Sequence, residues 1–250
     1  MNYVMPRWLA FLVRTFPGIK GYLKNLNSIN KFESTIIDGV IFPFDKRFMD
    51  KKRFIAIAAG AVEKEEINTA KKYISNNDIV VELGVGLGIS AARINKLNKP
   101  KKHICFEANP SLIPYLKNLF KINKLDIELI NIALGDNKKI KFYALNDYIL
   151  SSFSKPINRN DFFEIEVESI SLQKIIDDYL PTVIFCDIEG AELLYLDAIN
   201  FKTVRTIILE LHPNIYGFAG IKEIINRFNN NGFSKTMKLG DTYCFLKNSF

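Results

Sequence analysis

Short apolar runs alternate with amphipathic stretches over most of the chain. The apolar runs are typical of buried strands, and the stretches between them have the spacing of helices. Strands are predicted over residues 79–83, 103–107, 127–132, 182–187 and 206–211. Helices are predicted over 61–73, 89–97, 110–121, 172–179, 191–198 and 221–230. Strands that alternate with helices predict an α/β fold, with a mostly parallel sheet and helices on both faces.

The C-terminal end of the chain predicts a closing hairpin. Its strands are residues 233–238 and 242–246, around Gly240 and Asp241. Such a hairpin would add one antiparallel strand to the sheet. Further short strands are predicted at 140–142 and 163–167, with a long polar loop at 146–159 between them. A long insertion beside a cofactor edge shapes substrate access, unless it is only a mobile surface loop.

Residues 1–50 read as an irregular, basic and aromatic lead-in, and residues 51–250 as a single domain. The apolar run at 8–13 is far too short to span a membrane, and no small-residue cleavage site follows it. Basic residues surround this run, so a peripheral contact with a membrane surface is one interpretation. A packing arm or a dimer contact is the other. The sequence does not indicate an oligomeric state.

Charge and cysteine content narrow the class of protein. The net charge of +7 is spread over several short basic clusters. An acidic substrate, an anionic membrane surface or plain solubility explains that charge as well as nucleic acid does. Cys105, Cys186 and Cys244 lie in separate apolar segments without the spacing of a disulfide framework or a zinc site. Reduced thiols in a cytoplasmic protein are therefore expected.

A glycine-spaced turn follows the strand at 79–83. Glu82 comes just before Gly84, Gly86 and Gly88, and the next helix opens near Ser90. Such strand–turn–helix corners hold nucleotide-like cofactors in α/β folds. The dinucleotide fingerprint requires glycine at position 89, which is isoleucine here. The spacing instead resembles that of S-adenosylmethionine-dependent methyltransferases, in which the acid before the first glycine reaches the methionine end of the cofactor.

The next strand also ends in an acid. Glu107 is placed to accept two hydrogen bonds from a ribose diol, a device that NAD enzymes share. The alternative is a solvated acid at a strand end. Asn109 and Pro110 then start a helix, where proline has no N–H to leave unpaired.

Five motifs together resemble the FkbM family of methyltransferases. The chain reads FEANP at 106–110, ALGD at 133–136, SS at 151–152, DIEGAE at 187–192 and ELHP at 210–213. The resemblance covers roughly residues 61–213. The chain departs from the family pattern at Glu82, Val85, Ala108 and the pair Phe185-Cys186.

The resemblance implies a Rossmann-like class I methyltransferase whose seven-stranded sheet has one antiparallel strand. It implies S-adenosyl-L-methionine as the cofactor and O-methylation of a hydroxyl, often on a sugar or another secondary metabolite. Glu82 is then expected to hold the methionine part and Glu107 the ribose, with the adenine near residues 131–136. The cofactor-binding residues predicted in this way are Glu82, Gly84, Gly86, Gly88, Ser90, Glu107, Ala108, Asn109, Ala133, Leu134 and Asp187.

Acids and a histidine follow the fourth and fifth strands, where the acceptor would react. Asp187 and His212 would end neighbouring strands on one edge, so they are the first candidates for a general base. Glu189 is the third catalytic candidate, or else it binds the cofactor amine or the substrate. Glu192 is more simply explained as an acid in the first turn of a helix, where it interacts favourably with the helix dipole. These acids lack a full ligand set, so no metal is predicted, and His103 is expected at the surface.

The sequence therefore predicts a cytoplasmic, S-adenosylmethionine-dependent O-methyltransferase that acts on a small molecule or glycan. A sugar-like acceptor is favoured. Residues 187–190 lack the [DN]-P-P-[FY] motif of enzymes that methylate the amines of bases, which disfavours nucleic acid. The alternatives are an RNA ribose 2′-O-methyltransferase, a non-catalytic binding module and an NAD-dependent oxidoreductase. No nucleophile elbow or phosphate loop is present.

Overall fold

The computed structural model describes residues 33–145, 162–198 and 200–248. The predicted loop at 146–159 and the apolar run at 8–13 lie outside those residues. In chain order, the elements are β1 (Ser34–Ile37), β2 (Val40–Pro43), α1 (Lys51–Ala58), α2 (Lys64–Tyr73), β3 (Ile79–Leu83), α3 (Ile89–Asn98), β4 (Lys102–Phe106), α4 (Ile113–Ile122), β5 (Glu128–Ile130), β6 (Ala133–Leu134), β7 (Ile140–Leu145), β8 (Phe162–Val167), β9 (Ser169–Ile170), α5 (Leu172–Tyr179), β10 (Val183–Cys186), α6 (Glu192–Tyr195), β11 (Thr206–Glu210), α7 (Pro213–Asn230), β12 (Phe233–Leu239) and β13 (Thr242–Lys247).

The central sheet has seven strands in the order β12-β13-β11-β10-β3-β4-β5. Strand β13 is antiparallel to both of its neighbours, and the remaining strand pairs are parallel. The predicted fold class is confirmed, including the single antiparallel strand that the C-terminal hairpin supplies. From β3, the chain places β4 and β5 on one side and later β10 and β11 on the other. Open α/β sheets bind their ligands at such a switch point.

Both faces of the sheet are covered because successive side chains of a strand point to opposite faces. On one face, Val81 and Ile184 belong to a core that α5 and α7 complete. On the other face, Val80 and Val183 pack with residues of α2 and α3. Because β3 and β10 are buried on both sides, the carboxyl ends of these strands have fixed positions. The functional site uses that edge.

The segment before α2 differs from the predicted irregular lead-in. Residues 34–43 form a hairpin, in which β1 pairs with β2. Asn123, the residue after α4, joins its side-chain amide to both backbone groups of Ile41, at 2.7 Å each. Asp50 then caps α1 by accepting a hydrogen bond from Arg53 N, and Phe54 packs in the same apolar cluster as Val40. The hairpin and α1 are thereby held against the cofactor side of the domain. The domain boundary at residue 50 stays a prediction.

Several predicted elements differ from the structure in length. Helix α6 has only four residues, whereas residues 191–198 were expected to be helical. Helix α7 begins at Pro213 rather than at 221, with a kink at Gly217, whose φ of 65° is outside the helical range. Strands β7 and β8 pair with each other as a separate two-stranded sheet. Among the described residues, no helix is both long and apolar enough to cross a membrane.

Candidate active site

A cleft of about 980 Å³, open solvent at its mouth included, lies at the carboxyl ends of β3, β4 and β10. Open α/β sheets bind their ligands in a crevice at this edge. The cleft brings together most of the predicted site residues. Its walls include Gly84, Gly86, Ser90, Glu107, Ala108, Asn109, Ala133, Leu134, Asp187 and Glu189. Glu82, Gly88 and His212 do not contact the cleft directly.

The three glycines of the turn serve different purposes. Gly84 has φ of 79°, and a Cβ there would lie 1.8 Å from the carbonyl oxygen of Asp187. A Cβ on Gly88 would lie 2.8 Å from Leu116 and 2.9 Å from Leu119, both on α4. Gly86 also has a positive φ, but no atom lies within 4 Å of the Cβ position. Gly84 therefore lets the turn lie against the carbonyl group of Asp187, and Gly88 lets the turn pack closely against α4. Gly86 leaves open space for a ligand.

Glu107 fastens this turn from the neighbouring strand. Its Oε2 accepts hydrogen bonds from Val85 N at 3.0 Å and Gly86 N at 2.9 Å. Its Oε1 accepts a bond from Asn109 N at 2.8 Å. The carboxylate is 5% exposed, so the N–H groups compensate for much of its lost hydration. Its contact with a ribose diol stays a prediction, since the carboxylate lines the cleft but already holds the turn.

Glu82 lies behind the turn rather than on the cleft wall. It is fully buried, and Ser90 Oγ donates to its Oε1 at 2.7 Å. Its Oε2 is 3.0 Å from His103 Nε2. A direct contact between Glu82 and the cofactor stays a prediction, because both oxygens are already engaged within the protein. The expectation that His103 is at the surface is wrong: the residue is 1% exposed, because β4 is an interior strand.

Three charged residues of the cleft were not identified from the sequence. They are Arg53 on α1, and Glu63 and Glu66 at the start of α2. Glu63 adopts a left-handed conformation with φ of 53°, and its Oε2 accepts a bond from Ser90 N at 2.7 Å. The left-handed backbone and this long-range contact place its carboxylate at the first turn of α3.

Acids and a histidine cluster where β10 and β11 end. His212 Nε2 lies 3.4 Å from Glu189 Oε2 and 3.6 Å from Asp187 Oδ1. His212 Nδ1 lies 3.2 Å from Glu192 Oε1, an ion-pair contact without the angle of a hydrogen bond. Glu192 also accepts bonds from the backbone N–H groups of Ile188 and Gly190. The structure thus brings all three predicted catalytic residues together, with His212 behind the two acids that line the cleft.

The charges in this cluster determine the protonation of His212. Burial alone lowers the pKa of a histidine, but the nearby carboxylates of Glu189 and Glu192 and the charge of Asp187 raise the pKa of His212 to about 11. The imidazole is therefore protonated at neutral pH and has no free lone pair. The role of His212 as a general base stays a prediction, since a base must first release that proton. His212 lies among the carboxylates as a cation.

Asp187 has the opposite perturbation. Burial, together with the charges of Glu189 and Glu210, raises the pKa of its carboxyl well above the ordinary value, although the His212 charge opposes this. Oδ1 of Asp187 is buried and has no hydrogen-bond partner among the described residues. A carboxylate with an unpartnered oxygen and a raised pKa is suited to accept a proton.

Two groups of side chains have potential metal ligands. Asp187, Glu210 and His212 each place one such atom within 4.8 Å of the others, as do Glu82, His103 and Cys105. In the first group, the protonated His212 already supplies a positive charge. In the second, the carboxylate of Glu82 is engaged by His103 and Ser90. The described residues therefore provide no further support for a metal.

The cleft fits the adenosine and amino acid parts of S-adenosylmethionine. Apolar side chains at Ile132, Ala133 and Leu134 line the end below β5, which suits a purine base. Buried polar atoms without partners among the described residues lie on the same walls, namely Arg53 Nε, Asn109 Nδ2 and Asp187 Oδ1. Unpaired buried polar groups are costly, so a polar ligand in the cleft would compensate for them.

The chain is similar to several known proteins. The chain is 33% identical over 82 residues to a tRNA(Phe) (4-demethylwyosine(37)-C(7)) aminocarboxypropyltransferase from Methanocaldococcus jannaschii. That match spans about a third of either protein: 32% of this chain and 32% of the relative. The fold is similar to a methyltransferase from Pyrococcus furiosus, with TM-score 0.50 and 13% identity over 93% of this chain and 98% of that one.

A second solved structure is M. jannaschii TYW2 in complex with AdoMet. It has TM-score 0.47 and 18% identity, over 87% of this chain and 85% of that one. The model of the methyltransferase FkbM domain matches residues 76–235, which is more than half of the chain and includes the glycine turn and the acid cluster. The chain therefore belongs to the FkbM methyltransferase family, and it is an S-adenosylmethionine-dependent methyltransferase.

Proposed function

We propose that this enzyme transfers the methyl group to a hydroxyl oxygen of a small molecule or glycan, with a sugar-like acceptor favoured. The observation that carries the proposal is Asp187 Oδ1, which is buried and without a hydrogen-bond partner among the described residues. Asp187 also lines the cleft. A hydroxyl holds its proton tightly at neutral pH and benefits from a base when it attacks.

Different residues of the cleft have different roles in the reaction. The cofactor supplies an electrophilic methyl group on a sulfonium, and the turn and Glu107 fix its orientation. The Asp187 carboxylate would accept the hydroxyl proton while the acceptor oxygen bonds to the methyl carbon and the carbon–sulfur bond of the sulfonium breaks, which would leave a neutral thioether. Placing the two reactants in line lowers most of the barrier to such a displacement. Asp187 is itself fixed, because its backbone N–H donates to Leu83 O at 2.9 Å.

His212 and Glu189 act around that base. The protonated His212 is close to both carboxylates, so it stabilises the ionised form of Asp187. Glu189 lines the cleft from a left-handed backbone position with φ of 52°. Its carboxylate faces the acceptor space and is suited to accept hydrogen bonds from further hydroxyls. A polyhydroxylated acceptor uses such a group.

The charge at this end favours an acceptor without phosphate. Asp187, Glu189 and Glu192 surround a single imidazolium, so carboxylates outnumber cations there. Phosphate near the reacting oxygen would be repelled. The second candidate is an RNA ribose 2′-O-methyltransferase. The net charge of +7 and the similarity to a tRNA-modifying enzyme favour it.

An acceptor panel tests the proposal. The purified enzyme is incubated with S-adenosylmethionine and with glycans, nucleotide sugars, small hydroxylated metabolites or transfer RNA. Mass spectrometry is expected to find one added methyl group on an oxygen of a glycan-type acceptor. The product is expected to be absent with Asp187→Asn and present with Asp177→Asn, an exposed acid on α5. Methylation of nitrogen or carbon, or full turnover by Asp187→Asn, would overturn the proposal.

The salt dependence of RNA binding distinguishes the RNA candidate from the glycan acceptor. Binding that neutralises several phosphates weakens steeply as salt rises, because counterions are released. We expect transfer RNA to bind weakly and without a methylated product. Tight RNA binding that is lost between low and moderate salt, together with ribose methylation, would replace the glycan acceptor by RNA.

The cellular setting is part of the same proposal. The three cysteines are buried and unpaired, which supports the cytoplasm, where thiols stay reduced. A peripheral membrane contact through residues 8–13 remains an alternative for the N-terminal segment.

A further inference from the structure

The charged residues of the cleft are unevenly distributed along the sheet edge. The apolar purine end lies toward β5, and Glu107 follows β4. Helix α2 packs against α3, β11 and β13, on the opposite side of β3. Glu63 and Glu66 therefore lie beyond the glycine turn, at the end of the cleft away from the purine. A cofactor that extends from β5 across β3 would place its amino acid part there.

Arg53 is the one basic residue among those that line the cleft within the described part of the chain. Its Nε is buried and has no hydrogen-bond partner among the same residues. The backbone of Arg53 is fixed by the cap of α1, where its N–H donates to Asp50 Oδ1 at 2.7 Å. A guanidinium with an unpaired buried donor recognises a carboxylate well, because it donates in a fixed planar geometry.

Glu63 offers the opposite charge. One oxygen accepts the bond from Ser90 N, and a carboxylate oxygen has two lone pairs, so acceptor capacity remains. Glu66 lies one helical turn further along, and its Oε1 is held by Thr242 Oγ1 at 2.8 Å. Hydrogen bonds therefore fix the carboxyl groups of both acids at this end of the cleft.

We propose that Arg53 and Glu63 form a two-charge site for the amino acid part of the cofactor. Arg53 binds the α-carboxylate and Glu63 binds the α-ammonium group. Glu66 reinforces the negative charge from behind. The site explains why both charges line the cleft although neither matches a motif. It depends on the cofactor alone, so it stands or falls independently of the proposed acceptor.

The protonation of Glu63 supports this assignment. Burial, together with the charges of Glu66 and Glu82, raises the pKa of Glu63 to about 7. The charged groups that act on Glu63 are Glu66 on its own helix and Glu82 on β3, and the charge of Glu63 in turn acts on Asp187 after β10. An ammonium group beside Glu63 favours the ionised carboxylate. Binding therefore releases a proton from the fraction of molecules in which Glu63 is protonated.

Calorimetry with two ligands tests the site. S-adenosylhomocysteine carries the amino acid part, whereas 5′-methylthioadenosine has the same adenosine and thioether without it. We expect Glu63→Gln and Arg53→Gln each to weaken S-adenosylhomocysteine binding by about 10- to 100-fold, as for lost hydrogen bonds to charged groups. Binding of 5′-methylthioadenosine should be unchanged. Glu65→Gln on the same helix and Lys52→Gln on α1 are matched controls that should leave both ligands unaffected.

A loss of affinity for both ligands would show general damage to the cleft, and no loss for either would show that these charges do not contact the amino acid part. Both results overturn the proposal. A second measurement needs no variant. With the wild-type enzyme, the binding enthalpy of S-adenosylhomocysteine at about pH 7 should vary with the ionisation enthalpy of the buffer, because Glu63 releases a proton. The enthalpy for 5′-methylthioadenosine should not. Equal buffer dependence for the two ligands would also overturn the proposal.

Discussion

Glu107 and Asp187 are two buried acids that follow β4 and β10, the strands on either side of β3. Burial raises the pKa of both carboxyls. Around Glu107, three backbone N–H groups oppose this rise and occupy both oxygens. Around Asp187, the acids Glu189 and Glu210 increase it, and Oδ1 has no partner among the described residues.

The difference distinguishes Glu107, an acid that holds the turn in place, from Asp187, an acid that is suited to accept a proton. A carboxylate that accepts bonds from several N–H groups is held in one place, and those bonds favour its ionised form. A carboxylate beside other carboxylates holds a proton more readily, and an unpartnered oxygen is free to receive one. The acid on the cofactor side of β3 therefore has both oxygens hydrogen-bonded, whereas the acid on the acceptor side has an oxygen without a partner among the described residues.

The largest effect is expected from Asp187→Asn. If Asp187 is the base, kcat falls by about 100- to 10,000-fold, the usual contribution of general-base catalysis. The melting temperature should change little, because Asp187 Oδ1 makes no hydrogen bond in the described structure. Initial rates and calorimetry check this. A variant with normal kcat would remove the distinction between the two acids.

Gly84→Ala and Gly86→Ala compare two glycines of the same turn. At Gly84, the added Cβ meets the backbone of Asp187 and the left-handed conformation is strained. We expect a loss of about 3 kcal/mol or more in the free energy of unfolding. At Gly86 only the strain of about 1–2 kcal/mol applies, while the methyl group enters the space for the ligand. Denaturant unfolding and cofactor titration should thus rank the two variants in opposite orders.

Glu107→Gln tests the satisfied acid. A glutamine amide offers one oxygen where the carboxylate offers two, so at least one of three buried N–H groups loses its acceptor. The free energy of unfolding should fall by about 1–3 kcal/mol, and cofactor affinity should fall with it as the turn loosens. The kcat at saturating cofactor should be affected less than in Asp187→Asn. A variant with normal stability and affinity but no turnover would reverse the roles of the two acids.

The local sequence pattern was sufficient to predict the part of the site whose geometry depends on residues adjacent in the chain. The strand at 79–83 and the glycines of the turn lie within one short segment, so their geometry follows from adjacent residues. The sequence missed Glu63, because its role depends on a contact with Ser90 across 27 positions. His103 was placed at the surface on account of the preceding lysines. The register instead sets it opposite Val80, in the interior of the sheet.

For His212, the position was predicted but the protonation was not. Its place at the end of β11 follows from the strand pattern, since a strand end lies at the edge of the sheet. Its pKa depends on Glu189 and Glu192, which follow β10. Their charges act together on His212 only after the two parallel strands are paired. A summed field of this kind cannot be read from residue types along the chain.

The most sensitive test of the contrast between Glu107 and Asp187 is a pair of opposite shifts in the pH dependence of kcat. The His212 charge lowers the pKa of Asp187, and the Glu189 charge raises it. Activity requires ionised Asp187, so the acid limb of the kcat profile follows that pKa. His212→Gln should move the limb to higher pH by about one unit, and Glu189→Gln should move it to lower pH. Two shifts of the same sign, or none, would mean that another group is the base.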